Sequence, residues 1–147
     1  MSEVTGRLLA LDVGERRVGV AVSDPMGWLA RPLTIIHRRS KKEDFAAIAR
    51  LVEEQQAVAV VVGYPLNMDG SVGPQARRVA RYAAALEREL PVPVILWDER
   101  LSSEEAAERL RSVAGSRRRR RKYLDDAAAA VILQEYLDSL AGGGEGG

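Results

Sequence analysis

The chain has 147 residues, of which 46% are hydrophobic and 29% are charged, with one histidine and no cysteine. This composition predicts one globular domain and excludes a chain that is disordered throughout. Without cysteine, disulfides and cysteine-ligated zinc or iron–sulfur sites are excluded, and one histidine argues against a multi-histidine metal site and leaves little room for a Ser-His-Asp triad. Any metal or acid–base chemistry must therefore depend on carboxylates.

Neither a membrane span nor a secretory signal is expected. No apolar run reaches the roughly 18 residues that a spanning helix needs, and the N-terminus has no cationic segment followed by an apolar one. The formal net charge is +1, but six consecutive cationic residues stand at 117–122. The basic character is thus concentrated in one short segment.

Strands and helices are predicted to alternate after an initial antiparallel hairpin. The strands are predicted at 7–12, 18–23, 28–37, 57–62 and 94–97, and the helices at 41–56, 75–90, 102–113 and 124–140. This order predicts an α/β fold, a mixed five-stranded sheet flanked by helices on both faces. Residues 1–141 would form a single domain, followed by a flexible glycine-rich tail at 142–147.

Carboxylates stand at the ends of the first and last predicted strands. Asp12 closes the first strand, Asp98 and Glu99 close the last, and Asp125 and Asp126 open the final helix. Because ligands of open α/β sheets bind beyond the carboxyl ends of strands, we expect Asp12 and Glu99 side by side, with a third acid from the final helix. Such acids repel one another unless a divalent cation neutralises them, and they suit Mg²⁺ or Mn²⁺. The pattern therefore predicts a metal site for phosphodiester hydrolysis.

The same acids also have a purely structural interpretation. An acid after a strand is often a turn residue, and Asp125 or Asp126 near a helix N-terminus is stabilised by the helix dipole without any function. Glu99 beside Arg100 is equally compatible with a surface ion pair. The residues alone leave both interpretations open.

Two loops carry candidate contacts to a nucleic acid. Tyr64 and Asn67 lie in the breaker-rich loop 63–74, which could also be only a long turn. The basic run is either a solvated loop or an element that contacts phosphates in a salt-dependent way. Its residues are Arg117, Arg118, Arg119, Arg120, Arg121 and Lys122.

Segment 11–24, LDVGERRVGVAVSD, resembles the opening signature of the YqgF/RuvX family. The pattern D-x-G-x-x-R-x-G-x-A is met by Asp12, Gly14, Arg17, Gly19 and Ala21. Three further blocks agree in order, VVGYPLNMDGS followed by GPQA, WDERLSSEEA, and YLDDAAAAVILQEYL. The resemblance extends from about residue 8 to 137, and four blocks in order make it specific.

The resemblance implies an RNase H-like fold and a cytoplasmic nuclease that processes the 5′ end of pre-16S rRNA in ribosome biogenesis. It implies a Mg²⁺ or Mn²⁺ site on Asp12, on the Asp98–Glu99 pair and on an acid opening the last helix. Asp12, Glu99 and Asp125 are the catalytic residues this favours, with Asp98 as a further ligand and Asp126 as the alternative to Asp125. The expected partner is RNA, either free or on the pre-ribosome, and no membrane partner is expected. The chain is expected to be a monomer or a weak homodimer.

Two residues of the hairpin turn are further candidates for contact with the nucleic acid. Gly14 has no side chain, so the backbone there can approach a phosphate closely. Arg17 either fixes the hairpin by pairing with an acid or contacts the substrate, and the structural role is favoured.

Other functions use the same residues. One is a Holliday-junction-type resolvase acting on branched DNA, although the strand ending at Gly63 carries no acid where classical resolvases have one. Another is a non-catalytic nucleic-acid-binding factor in ribosome assembly, which the loss of any of the three acids would favour; all three are present. An ATP-using actin-like protein would need two such domains, for which the chain is too short.

Overall fold

The computed structural model describes residues 6–99 and 127–146, with side chains described as far as residue 141. The strands are β1 (Arg7–Val13), β2 (Arg17–Ser23), β3 (Ala30–His37), β4 (Ala57–Tyr64) and β5 (Val94–Asp98). The helices of the described part are α1 (Lys41–Gln55), α2 (Pro74–Glu87) and α3 (Ala128–Gly146). The predicted helix at 102–113, the basic run and the start of the final helix lie outside the described residues.

The strands form one five-stranded mixed sheet in the order β3-β2-β1-β4-β5. β2 is antiparallel to both of its neighbours, whereas β1, β4 and β5 are parallel. The predicted mixed sheet is therefore confirmed. Because β1, β4 and β5 run in the same direction, their carboxyl ends lie at one edge of the sheet.

Different helices pack on the two faces of the sheet. One face packs α1 and α2 against Leu9, Leu11 and Val13 of β1. The other packs α3 against Leu8 and Ala10. Successive side chains of a strand point to opposite faces, so Asp12 lies on the α3 side, in line with Leu8 and Ala10.

Several boundaries differ from the sequence prediction for local reasons. The third strand begins at Ala30 rather than at Trp28, because Asp24 Oδ1 accepts hydrogen bonds from the backbone N–H groups of Trp28 and Leu29 at 2.7 and 2.8 Å. These bonds hold 24–29 in a turn. The fourth strand continues past residue 62 to Tyr64, where it still pairs with Asp98 of β5.

Helix α2 ends at Glu87 rather than at Leu90. The N–H groups of Glu89 and Leu90 bond to carbonyls three residues earlier, at Leu86 and Glu87. Such bonds tighten the last turn, and Pro91 disfavours helical geometry at the residue before it.

Helix α3 ends later than predicted, at Gly146 instead of residue 140. Glycine disfavours a helix interior by about 1 kcal/mol relative to alanine but does not forbid it. The flexibility of residues 142–147 stays a prediction. Within the described parts of the chain, no helix is both long and apolar enough to cross a membrane.

Candidate active site

Asp12 stands near the end of β1, on the face that α3 covers. Its register partner on β2 is Gly19. A Cβ at Gly19 would lie 3.8 Å from the Asp12 Cβ and 3.9 Å from the Ala129 Cβ. Small residues on β2 and α3 thus leave room for a carboxylate between the sheet and the first turn of α3.

Glu99 follows β5 and lies over the neighbouring strand. A Cβ at Gly63 would be 3.1 Å from both Cγ and Cδ of Glu99 and 2.6 Å from Ile132 Cδ1. The absence of a side chain at Gly63 therefore provides the space that the Glu99 side chain occupies, between β4 and α3. Asp12 and Glu99 are brought to the same face and the same edge of the sheet, as the position of each acid at a strand end predicted.

Trp97 anchors the end of β5 against α3. Its ring packs edge-on against Tyr136, with ring centroids 5.4 Å apart. Since Trp97 faces α3, the alternation of side chains directs Asp98 to the opposite face of the sheet. Of the two adjacent acids, Glu99 is thus the one that shares a face with Asp12.

The pKa values of both carboxyl groups are raised in this environment. Burial raises the pKa of Asp12 above its usual value. Burial raises the pKa of Glu99 to about 7, with smaller contributions from the charges of Asp12 and Asp98. Two partly buried carboxylates, of which one raises the pKa of the other, are the arrangement that a bound divalent cation stabilises.

The third predicted acid cannot be placed, because Asp125 and Asp126 lie outside the described residues. Within residues 6–99 and 127–146, no group of three or more His, Asp or Glu side chains is close enough to hold a metal ion. The described part therefore contributes Asp12 and Glu99. Helix α3 is described from Ala128, and Ala128 and Ala129 line the same cavity as Asp12.

The mouth of the site is a cavity of about 300 Å³ next to Asp12. It is lined by the β1–β2 turn, including Gly14 and Arg17, and by Gly19. The N–H of Gly14 donates to the Arg17 carbonyl at 2.8 Å, which closes the turn. The Arg17 side chain is exposed and forms no ion pair with the described acids, so it borders the cavity without being held by a carboxylate.

The other described candidates lie in the loop after β4. Tyr64 is half-buried at the end of β4, opposite Asp98. Asn67 is exposed, and its Nδ2 donates to Ser71 Oγ at 2.8 Å, so this amide stabilises its own loop. The structure places both residues at the same edge of the sheet as Asp12 but gives neither a contact with it.

The sequence profile of the RuvX family, described as Holliday junction resolvase, matches residues 6–139. The chain belongs to the RuvX family. The resemblance stated from the sequence blocks is thereby confirmed.

Curated RuvX relatives match almost their full length. A protein of Anaeromyxobacter dehalogenans is 49% identical over 135 residues, covering 92% of this chain and 98% of the relative. One of Moorella thermoacetica is 47% identical over 138 residues, covering 94% and 99%. One of Syntrophomonas wolfei is 45% identical over 132 residues, covering 90% and 94%. All three carry the name "Putative pre-16S rRNA nuclease".

Among solved structures, RuvC of Thermus thermophilus aligns with a TM-score of 0.63 at 16% identity, covering 93% of this chain and 96% of RuvC. The same enzyme in complex with a Holliday junction aligns with a TM-score of 0.63 at 17% identity and the same coverage. At such identities the likeness concerns the fold alone. It bears out the RNase H-like fold that the resemblance implied for this RuvX chain.

Sequence reasoning missed the two glycines that shape the site in this RuvX chain. In the sequence, Gly63 is recognisable only as a strand end without an acid, and Gly19 only as part of the family pattern. Their signal is a glycine inside a β-strand, which often marks a close approach of another group. The partner that approaches, Glu99 in one case and Asp12 in the other, emerges only from the sheet order.

Proposed function

We propose that this chain is a divalent-metal-dependent nuclease that hydrolyses a phosphodiester bond near the 5′ end of 16S rRNA in its precursor, in the cytoplasm. The observation that supports this most is the pairing of Asp12 and Glu99 in one partly buried site at the carboxyl ends of β1 and β5. The names of relatives at 45–49% identity support the RNA substrate.

The residues present fit a Mg²⁺ or Mn²⁺ ion. Asp12 and Glu99 offer hard oxygen ligands; burial raises the pKa of both carboxyl groups, and the charge of Asp12 adds to the rise at Glu99. Asp125, or Asp126 in its place, would supply the third carboxylate from the start of the last helix. When bound, such an ion would lower the pKa of water and stabilise the leaving oxygen of a phosphodiester.

The protein's own contribution is to orient these groups. β1 carries Asp12, Glu99 directly follows β5, and the absence of a side chain at Gly63 makes room for Glu99. The Gly14 turn allows close approach of a phosphate, and the exposed Arg17 is positioned to meet it. Water is the attacking group, and no covalent intermediate forms on the chain.

The basic run 117–122 would add affinity without selecting a sequence. Cationic side chains that contact phosphates release counterions, so each contact adds about 0.7 to the salt slope of binding to a single strand. Replacing Arg117 to Arg121 by glutamine should flatten the dependence of RNA affinity on salt. An unaltered slope would remove this loop from the interface.

A DNA resolvase on the same acids is the second candidate, favoured by the description of the family profile. The test that separates the two is a competition between precursor 16S rRNA and a four-way DNA junction, with Mg²⁺ or with EDTA and mapping of the 5′ ends. We expect Mg²⁺-dependent cleavage of the RNA near the mature 5′ end. Cleavage of the junction alone would contradict the RNA substrate, and full turnover in EDTA would contradict the metal.

A further inference from the structure

A second cavity lies on the opposite face of the sheet from the carboxylates. It has a volume of about 570 Å³ and lies where the end of β1 meets α1 and α2. Four cationic side chains line it, Arg38, Lys41, Arg78 and Arg81, against the single carboxylate of Glu15. We call it the basic pocket. Its size falls within the range of small-ligand sites.

Three of the four cations are not neutralised by the described protein. Within the described residues, Arg38 alone has an acidic partner, Asp44, whose Oδ2 lies 3.5 Å from the Arg38 Nε. Among the described residues, no carboxylate lies within ion-pair distance of Lys41, Arg78 or Arg81. Cations gathered around a concave surface repel one another and attract an anion.

The start of α2 adds to this positive potential, whereas the first turn of α1 already carries Glu43 and Asp44. Lys41 is the first residue of α1, and Arg78 is the fifth residue of α2. The first turn of α2 contains no acid and its N-cap, Gly73, offers no side-chain hydrogen bond. Because helix N-termini carry partial positive charge, basic residues beside them are locally unfavourable unless an anion binds there.

The wall of the basic pocket is rigid. Arg38 lies over the Tyr82 ring, 4.9 Å from its centroid, and its Nη1 donates to the Gly14 carbonyl at 2.7 Å. Tyr82 is 3% exposed, and its hydroxyl has no hydrogen-bond partner among the described residues. A guanidinium held in place loses little freedom when it binds an anion.

The basic pocket and the carboxylate cavity meet at the same turn. Gly14 and Glu15 line both of them. A chain with phosphates at regular spacing could therefore cross the β1–β2 turn with one phosphate at each cavity.

We propose that the basic pocket binds a phosphate group, supplied either by the backbone of an RNA strand that has another phosphate at the carboxylates or by a free nucleotide. The RNA source rests on the proposed function, whereas the free nucleotide does not.

The test uses two double variants of equal charge, one within α2 and one shared between α2 and the residue directly after it. Arg78→Gln with Arg81→Gln removes two cations of the basic pocket. Arg77→Gln with Arg88→Gln is the control, because both residues are exposed and neither lines the pocket. Thermal unfolding establishes that each variant is folded.

Affinity is measured in EDTA for a single-stranded RNA oligonucleotide over a range of salt, and separately for a mononucleotide and inorganic phosphate. We expect the pocket variant to lose RNA affinity on the order of tenfold at low salt, with a slope smaller by about 1, and the control to change far less. Selective loss of mononucleotide and phosphate binding, with RNA binding equal to the control, would assign the pocket to a free nucleotide. Equal behaviour of the two variants towards all three ligands would overturn the proposal.

Because these measurements need no cleavage, they separate the basic pocket from the nuclease. If the wild type cleaves no RNA but the pocket variant binds phosphate ligands more weakly than the control, the phosphate site stands and the proposed function is refuted. If the wild type cleaves RNA but the two double variants bind all three ligands equally, the proposed function stands and the phosphate site is refuted.

Discussion

Glu99 is a carboxylate whose charge is disfavoured by its surroundings in the metal-free protein. Its pKa rises from 4.5 to about 7 on folding, mainly through burial. Between these pH values the folded protein binds more protons than the unfolded chain, so the contribution of Glu99 to the free energy of unfolding falls as the pH rises. Above pH 7 that contribution stays at its lowest.

Glu99→Gln should therefore stabilise the metal-free protein at pH 8 and leave its stability unchanged near pH 4. We expect a gain of about 1–2 kcal/mol at pH 8, a value reduced for solvent screening at a partly exposed group. Urea unfolding in EDTA across this pH range measures it. Saturating Mg²⁺ should make the wild type more stable than Glu99→Gln at pH 8, since only the wild type gains the free energy of metal binding. Parallel pH profiles for the two proteins would contradict the account.

Gly63 makes room for Glu99, and a methyl group there should disturb the site. Gly63→Ala would place a Cβ against Ile132 and Glu99, at a cost of about 1–3 kcal/mol from overpacking, together with reduced cleavage. Gly19→Ala is the matched control, because its Cβ would meet neighbours only at ordinary contact distance, 3.8 Å or more. Thermal unfolding measures the loss of stability in both variants. Equal losses would contradict the claim that Gly63 is needed to make room for Glu99.

At the scale of elements, a buried glutamine fixes α3 to the start of β3. Gln134 Oε1 accepts from the Ala30 N–H at 3.0 Å, and its Nε2 donates to the Trp28 carbonyl at 3.1 Å. Helix α3 covers the face on which Asp12 lies. The position of this helix on that face therefore depends partly on Gln134.

Gln134→Leu should lower the free energy of unfolding by about 1–3 kcal/mol, because the buried Ala30 N–H loses its acceptor. Gln55→Leu, a half-buried glutamine of α1 without a side-chain hydrogen bond among the described residues, should change stability by no more than about 0.5 kcal/mol. Urea unfolding measures the free energy of unfolding of both variants against the wild type. Similar effects of the two substitutions would show that Gln134 does not hold the helix.

The strands and helices that the sequence predicts correctly are those whose signals are local. The apolar run 57–62 and the helical spacing at 41–56 need no knowledge of neighbours. The start of β3 and the end of α2 were misplaced because each depends on a particular contact, the Asp24 side chain in one case and the tightened turn before Pro91 in the other. Gln134 could not be recognised at all, since its partners lie 104 and 106 residues away.

For the whole molecule, the sheet order explains how acids distant in sequence reach one edge. Asp12 and Glu99 were foreseen because each ends a strand, and parallel strands place their carboxyl ends together. The basic pocket was not foreseen, because its cations come from the β3–α1 connection, from the start of α1 and from α2, with no two of them adjacent in sequence. Charge assembled by tertiary structure leaves no local pattern in the sequence.

The central claim is that Asp12 and Glu99 hold one divalent ion that cleavage requires. Its most direct test is a Mn²⁺ titration by isothermal calorimetry of the wild type, Asp12→Asn, Glu99→Gln and the exposed control Glu53→Gln, paired with RNA cleavage by the same samples. We predict that Asp12→Asn and Glu99→Gln each lose both metal binding and cleavage, while Glu53→Gln keeps both. Undiminished Mn²⁺ binding and cleavage in Asp12→Asn would contradict the claim.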